Sequence, residues 1–382
     1  MKPTSVNTLL GGLDAATFLA EYWQKKPLLV RNAVPGFTGL LSHDALFELA
    51  CNPDVESRYI RMPKADDDAG AWTLKHGPQK PRRLRGRKQP WTVLVQGLNL
   101  WLPAADQLLQ RFSFIPQARL DDLMVSYAVD GGGVGPHFDH YDVFLLQGSG
   151  KRRWQIADQA DRTLVEDAQL RILKNFRPTE DWVLEPGDML YLPPHWAHNG
   201  VALGECTTYS IGFRAPTAQE LGTGFLAWLQ DRIELDGAYA DPGLAVQQNS
   251  AEISDAMIDR IETLLAGLRW TRDDLRAFVG DHLSEPKPQV FFEPPRPPLG
   301  HAAFASAVQR KGFALDARSR LLFSADDFHL NGETLAVPEA LHEALRQLAH
   351  QRGLPAAALA GRSPALVDLL YDWYCDGFGA PA

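Results

Sequence analysis

Residues 131–156 read GGGVGPHFDHYDVFLLQGSGKRRWQI, and their punctuation decides the fold class. A glycine cluster, Gly131-Gly132-Gly133, opens the stretch. An apolar run over Asp142–Gln147 follows, then a Gly148-Ser149-Gly150 turn, then the alternating segment Arg152–Ile156. Two short β-rich runs separated by glycines predict neighbouring strands. The same texture extends outward through Trp91–Leu98, Asp122–Val129, Trp182–Leu184, Met189–Leu192 and Thr207–Phe213, with Pro186-Gly187-Asp188 and Pro193-Pro194 as breaks. Many short strands with such turns predict a β sandwich or barrel over about residues 91–215.

The flanks are helical. Asp14 is placed to cap a helix over Ala15–Gln24, and Ser42 to cap one through Ala50. Between them Pro27 blocks helix, and Leu28-Leu29-Val30 reads as a strand. After the β region, Thr217-Ala218-Gln219-Glu220 is a capping box, with Phe225, Trp228 and Leu229 on one face. Further helical runs hold Ile258, Ile261, Leu264, Leu265 and Leu268, and begin again at Thr271. This module, residues 216–293, buries little by itself. It packs either on a partner subunit or on its own barrel. Pro294-Pro295-Arg296-Pro297-Pro298 forms a stiff linker. Beyond it, Arg320–Phe323 and Thr334–Val337 flank an Asn331-Gly332 turn, and helices are expected over Pro338–Arg352 and near Pro364–Tyr374. A winged-helix-like domain over 299–382 fits. Its seven Lys/Arg against nine Asp/Glu over 301–382 favour a scaffold over a DNA reader.

Composition narrows the classes. The chain has 382 residues and a net charge of −9, which excludes bulk nucleic-acid binding through a basic surface. Its three cysteines are far apart, which fits neither a disulfide framework nor a zinc knuckle and predicts a reducing cytoplasm. No run reaches the roughly 18 apolar residues of a membrane span. One loop departs from the acidic balance: Lys75, Lys80, Arg82, Arg83, Arg85, Arg87 and Lys88 follow shortly after Asp66-Asp67-Asp68. It is either a solvated loop or a contact for RNA or an acidic partner face.

The chemistry sits in the opening stretch. His137 and Asp139 are two apart, so on a strand they share a face. About sixty residues on, DMLYLPPHWAHNGVAL (188–203) supplies His195 and His198. Two histidines and one carboxylate on a β scaffold compose the facial triad of non-haem Fe(II) oxygenases, which leaves coordination positions open. A structural zinc site would close its shell with four ligands, usually including Cys. His198 is the expected third ligand, because it stands where the chain re-enters a strand, while His195 lies in the turn. His140 and His195 read as loop histidines. In the alternating segment Arg152, Trp154 and Ile156 share the interior face. A guanidinium there needs an anion, either a dicarboxylate cosubstrate or an internal protein carboxylate. Ser126 is a candidate second donor to that carboxylate, with Tyr127 and Ala128 competing for its orientation. Asp130 and Asp142 are candidates for an acidic rim.

These residues resemble a known family. His137-Phe138-Asp139, Arg152 thirteen positions after Asp139, and His198 look like a JmjC-type 2-oxoglutarate oxygenase. The strings YWQKKPLLVRNAVPGF (22–37), 131–154 and YSIGFRAP (209–216) are similar to the bacterial ribosomal oxygenases, which hydroxylate an arginine of large-subunit ribosomal protein sixteen. The resemblance implies an α+β chain: a JmjC double-stranded β-helix (a cupin-like jelly roll) with N-terminal helices over 1–215, a helical dimerisation module, and a C-terminal winged-helix-like domain. It implies Fe(II) held by His137, Asp139 and His198, with 2-oxoglutarate and O₂ as cosubstrates and Arg152 on the distal carboxylate. It also implies a cytoplasmic homodimer acting on a ribosomal protein, with ribosomal RNA a possible contact. Many JmjC proteins place lysine where Arg152 stands; the ribosomal type uses arginine. Two other readings share the triad: a JmjC demethylase or hydroxylase of another substrate, and a non-catalytic metal-binding jelly roll.

Overall fold

Polar side chains set the first helix starts. Helices α1 (Val6–Leu9), α2 (Ala15–Glu21) and α3 (His43–Cys51) begin behind Ser5, Asp14 and Ser42. Each cap accepts the backbone N–H three residues on. Helix α2 stops short of the expected Gln24 because Gln24 turns to φ 57° and donates its N–H to the Tyr191 hydroxyl at 2.8 Å. Helix α4 (Pro103–Leu109) starts on a proline at its first turn.

The computed structural model of the chain describes residues 5–63, 72–86, 89–361 and 363–382. The Asp66–Asp68 triplet and, from the basic loop, Arg87 and Lys88 lie outside the described residues. The chain divides into two units, Met1–Ala215 and Pro216–Ala382.

In the first unit the strands are β1 (Leu28–Val30), β2 (Ser57–Arg61), β3 (Thr73–His76), β4 (Trp91–Val95), β5 (Leu120–Ala128), β6 (Val143–Gln147), β7 (Lys151–Ala157), β8 (Glu180–Leu184), β9 (Met189–Leu192), β10 (Ala197–Leu203) and β11 (Cys206–Phe213). Eight of them form one sheet in the order β1-β9-β6-β11-β5-β4-β2-β3, and β10-β7-β8 form a second. All pairings are antiparallel. The order mixes distant strands, as in a double-stranded β-helix wound through both sheets. One face of the large sheet buries Val125, Tyr127, Phe144, Tyr191 and Tyr209 against Phe18 and Leu46 of the N-terminal helices. The opposite face carries Val143, Leu145 and Leu190, which pack with Trp154 and Ile156 of the small sheet. That second interface is the barrel interior.

The expected strand through His137–Asp139 is reduced to a bridge. His137 exchanges both backbone hydrogen bonds with His198, at 3.0 and 2.7 Å, and Gly131 and Gly132 pair with Ala202. The intervening run lies too close to β10 for a regular ladder. A Cβ on Gly133 would sit 2.5 Å from the Gly200 carbonyl oxygen, so only glycine permits the approach.

In the second unit, helices α5 (Ala218–Gln230), α6 (Asp255–Leu265) and α7 (Arg272–Ser284) precede the proline run. Capping boxes start α5 at Thr217 and α7 at Thr271. Asp281 of α7 binds three groups. It accepts from the Thr334 hydroxyl at 2.7 Å and the Trp228 indole at 3.0 Å, and it meets His329 Nδ1 at 2.9 Å. Helices His301–Lys311, His342–Gln351 and Pro364–Cys375 enclose a core of Phe304, Phe328, Leu345 and Leu370. The Asn331-Gly332 turn joins Asp327–Leu330 to Glu333–Leu335, not Arg320–Phe323 to Thr334–Val337. A second turn, at Ala325 (φ 56°), produces the extra strand.

Candidate metal centre

The bridge between His137 and His198 places both imidazoles on one side of a shared backbone pairing, with ring centroids 4.2 Å apart. Asp139, two residues beyond His137, brings its carboxylate to the same point. One ligand atom from each of His137, Asp139 and His198 lies within 4.8 Å of the others. Asp139 Oδ2 stands 3.7 Å from His198 Nε2.

Two backbone carbonyls orient the rings. Gly135 O meets His137 Nδ1 at 2.9 Å, and Trp196 O meets His198 Nδ1 at 3.0 Å. A carbonyl can only accept, so both rings carry the proton on Nδ1 and turn an Nε2 lone pair to the common point. His198 is buried, and burial, followed by the neighbouring His137, pushes its pKa down to about 4. It is therefore a neutral donor at neutral pH. Two imidazole nitrogens and one carboxylate suit a divalent transition ion and leave its other positions open. Among the described residues this is the one group of three metal-binding side chains, and it contains no cysteine.

His195 stands outside the group. Its backbone N–H donates to Asp139 O at 2.8 Å, it has φ 71°, and its ring lies 5.1 Å from that of His140. Arg162 joins this cluster, 3.5 Å from His195 Nδ1 and over the ring of Phe138.

Strand β7 supplies the second half of the site. Ala202, Gly200 and His198 of β10 pair with Arg152, Trp154 and Ile156 in register. Arg152 is buried, and its Nε and Nη2 atoms have no hydrogen-bond partner. A buried guanidinium without an anion is costly, so its surroundings fit an anionic ligand. Its register partner Ala202 packs with Ala128 and Cys206 in a cluster of small side chains. A Cβ on Gly200 would meet the Trp154 ring at 2.7 Å, so glycine lets the indole lie across β10. Ser126 shares the interior face with Met124 and Ala128, while Tyr127 turns to the opposite core. Its hydroxyl donates to Thr208 O at 3.4 Å.

The rim position expected of Asp142 is corrected by its contacts. Asp142 is fully buried and accepts from the Tyr191 hydroxyl at 2.6 Å and Gln24 Nε2 at 2.9 Å, with Arg119 at 3.5 Å. It ties the N-terminal segment to the sheet. Asp130 is exposed and accepts the Gly204 N–H at 2.7 Å, which closes a turn. The orienting carbonyls of Gly135 and Trp196 escaped the sequence reading. Each lies two residues before its histidine, a spacing visible in the sequence but without meaning until the backbone path is known.

Residues 107–221 match the JmjC domain family, and residues 267–379 match the ROXA-like winged helix. The second match begins ahead of the proline run and includes α7. The chain is 33% identical over 329 residues to the ribosomal protein uL16 3-hydroxylase of Escherichia coli K12, which covers 85% of this chain and 86% of that protein. It is 37% identical over 263 residues to a probable ribosomal oxygenase of Haemophilus influenzae, 65% of this chain and 62% of that one. The structure of YcfD, a ribosomal oxygenase from E. coli in complex with cobalt and 2-oxoglutarate, superposes with a TM-score of 0.79 at 31% identity, over 96% of this chain and 98% of that one.

Proposed function

The chain belongs to the JmjC-domain ribosomal oxygenases, and from that premise we propose that it is an Fe(II)- and 2-oxoglutarate-dependent hydroxylase. Its proposed substrate is an arginine side chain of large-subunit ribosomal protein uL16, modified at carbon 3. The observation that carries the reading is the meeting of two imidazole Nε2 atoms and one carboxylate beside a buried, unpartnered guanidinium. His137, Asp139 and His198 hold the iron. Arg152 grips the distal carboxylate of 2-oxoglutarate in a two-pronged, charge-assisted pair. Ser126 lies on the same interior face and is the second candidate donor. When bound, Fe(II), 2-oxoglutarate and O₂ supply the oxidising power that inserts one oxygen atom into an unactivated C–H bond, with succinate and CO₂ as coproducts. The chain's residues position the reactants and exclude water. No acid–base pair is required, since His198 is neutral and both ring protons are committed to carbonyls. The excess of 47 acidic over 38 basic residues favours a cationic substrate.

Two further parts of the reading concern its setting. No described helix is long and apolar enough to cross a membrane, and the proposed ribosomal-protein substrate supports a cytoplasmic setting. The apolar face of α6 supports a homodimer: Ile258 and Leu265 are 51% and 57% exposed, and no residue of α6 is buried.

The test is mass spectrometry of a uL16 peptide incubated with the purified protein, Fe(II) and 2-oxoglutarate. The expected product gains one oxygen atom on an arginine, with equimolar succinate. Loss of a methyl group instead would mark a demethylase, and no succinate at all a metal-binding protein without catalysis.

A further inference from the structure

Residues 75–88 contain seven Lys/Arg and no Asp/Glu. Removing those seven from the chain's 38 basic residues leaves 31 against 47 acidic ones, so the remaining chain is more acidic than the whole. The described part of this loop is anchored, not free. Gln79 is buried and donates its backbone N–H to Ala50 O at 2.8 Å. Its side-chain amide donates to Lys75 O at 3.1 Å and its oxygen accepts from Arg83 Nη1 at 2.9 Å. Leu84 is buried in the main core, and the Trp91 indole donates to Gly86 O. Arg83 also covers the Tyr59 ring. On this fixed frame Lys75, Lys80, Arg82 and Arg85 are exposed. None of the four forms an ion pair with a described carboxylate. The loop follows β3, and Trp72 at the head of that strand packs with Val134 of the glycine-rich run that leads to His137. The basic surface is thus carried by the helix-packed face of the large sheet, in the same unit as the metal centre.

We infer that this surface binds the phosphate backbone of RNA while the metal centre works on its substrate. The inference rests on the reading above that the substrate is a ribosomal protein. Such a protein carries its own basic RNA-binding surface, which the loop would repel. An anionic ligand is required, and the anion that accompanies a ribosomal protein is RNA. Arginine forks match phosphate oxygens. Anchoring at Gln79, Leu84 and Gly86 means little backbone order is lost on binding. The acidic remainder of the chain repels RNA elsewhere, which confines contact to this patch and keeps it weak and salt-dependent.

The experiment measures the anisotropy of fluorescein-labelled poly(U) against the full-length protein at increasing KCl, for wild type and for the triple variant Lys80→Glu/Arg82→Glu/Arg85→Glu. Wild type is expected to bind. Loss of three phosphate contacts should weaken binding at least about tenfold and flatten the log K against log salt slope by about 2. The milder Lys80→Gln/Arg82→Gln/Arg85→Gln variant, whose exposed positions leave the core untouched, should fall between the two. Uptake of the oxygen atom by an isolated uL16 peptide is expected to be equal in all three proteins. Absence of poly(U) binding by wild type, equal binding by the variants, or displacement of poly(U) by polyglutamate of equal charge overturns the inference. Failure of wild type to modify the peptide overturns the hydroxylase reading instead, and is read out separately.

Discussion

Arg152 carries the sharpest prediction at the scale of single residues, because its buried donors have no partner within the chain. Arg152→Ala should weaken 2-oxoglutarate binding by about 1.5–3 kcal/mol, the range for hydrogen bonds to a charged group, with a smaller effect on turnover at saturating cosubstrate. Anaerobic calorimetry with Mn(II) in place of iron measures this directly, and an unchanged Kd would mean that the guanidinium serves another anion. His137→Ala and Asp139→Ala should instead abolish tight metal binding, as read by elemental analysis after dialysis, and turnover with it. The site was legible in the sequence to the extent that spacing conveys direction. His137 and Asp139, and Arg152 and Trp154, are pairs two apart that share a face. The choice between His195 and His198 was also legible, since a residue inside a turn cannot join the register that His198 makes with Ile156. The role of Asp142 was not legible. An aspartate at the edge of an apolar run reads as surface, and only the approach of Tyr191, Gln24 and Arg119 from distant segments makes it a core anchor.

At the scale of elements, helix caps were read well and irregular strands poorly. Ser42, Thr217 and Thr271 begin helices because a local side chain answers a local backbone donor, and such signals need no tertiary context. Strands β2 and β3 carried no such signal: Ser57–Arg61 sets Arg58 and Arg61 among apolar residues, and Thr73–His76 is short and half polar. They are strands because β4 offers β2 an edge and β2 in turn offers one to β3. The joint between β1 and β9 depends on one carboxylate. Asp188 accepts from the backbone N–H groups of Asn32 at 2.8 Å and Glu185 at 3.0 Å and from Arg31 at 2.7 Å. Burial raises its pKa, but those three donors outweigh it and hold the carboxyl below its usual value. A depressed folded pKa contributes stability that is complete above the unfolded carboxylate value near 4 and is lost as pH falls through the folded one. Asp188→Asn should therefore cost about 1–3 kcal/mol at neutral pH, and the gap from wild type should narrow as the solution is acidified below about pH 4. Urea denaturation at a series of pH values measures both, and a gap that widened in acid would exclude this account of the joint.

For the whole molecule, the unresolved balance is between apolar surface and a chain that must stay in solution. The second unit leaves Leu226, Ile253, Met257, Ile258, Ile261, Leu265 and Trp270 exposed, and four of these recur along α6 at the spacing of one helical face. Single exposed apolar side chains need no explanation, but a stripe that covers a helix with no buried residue does. The helical periodicity was plain in the sequence, whereas the exposure of that face among the described residues was not, because sequence does not say which face remains bare. The partner proposed above is a second copy of the chain, since a two-fold axis would set the same stripe against itself and remove both from water at once. Ile258→Asp with Leu265→Asp places two charges on that face, about two turns apart, and alters no residue of the metal centre. The pair is expected to shift the protein from dimer to monomer in sedimentation equilibrium, with its far-ultraviolet circular dichroism retained and metal binding at His137, Asp139 and His198 unaltered. A wild type that sediments as a monomer at micromolar concentration would leave the stripe to a different protein, while a double variant that remains dimeric would place the contact on another face of this unit.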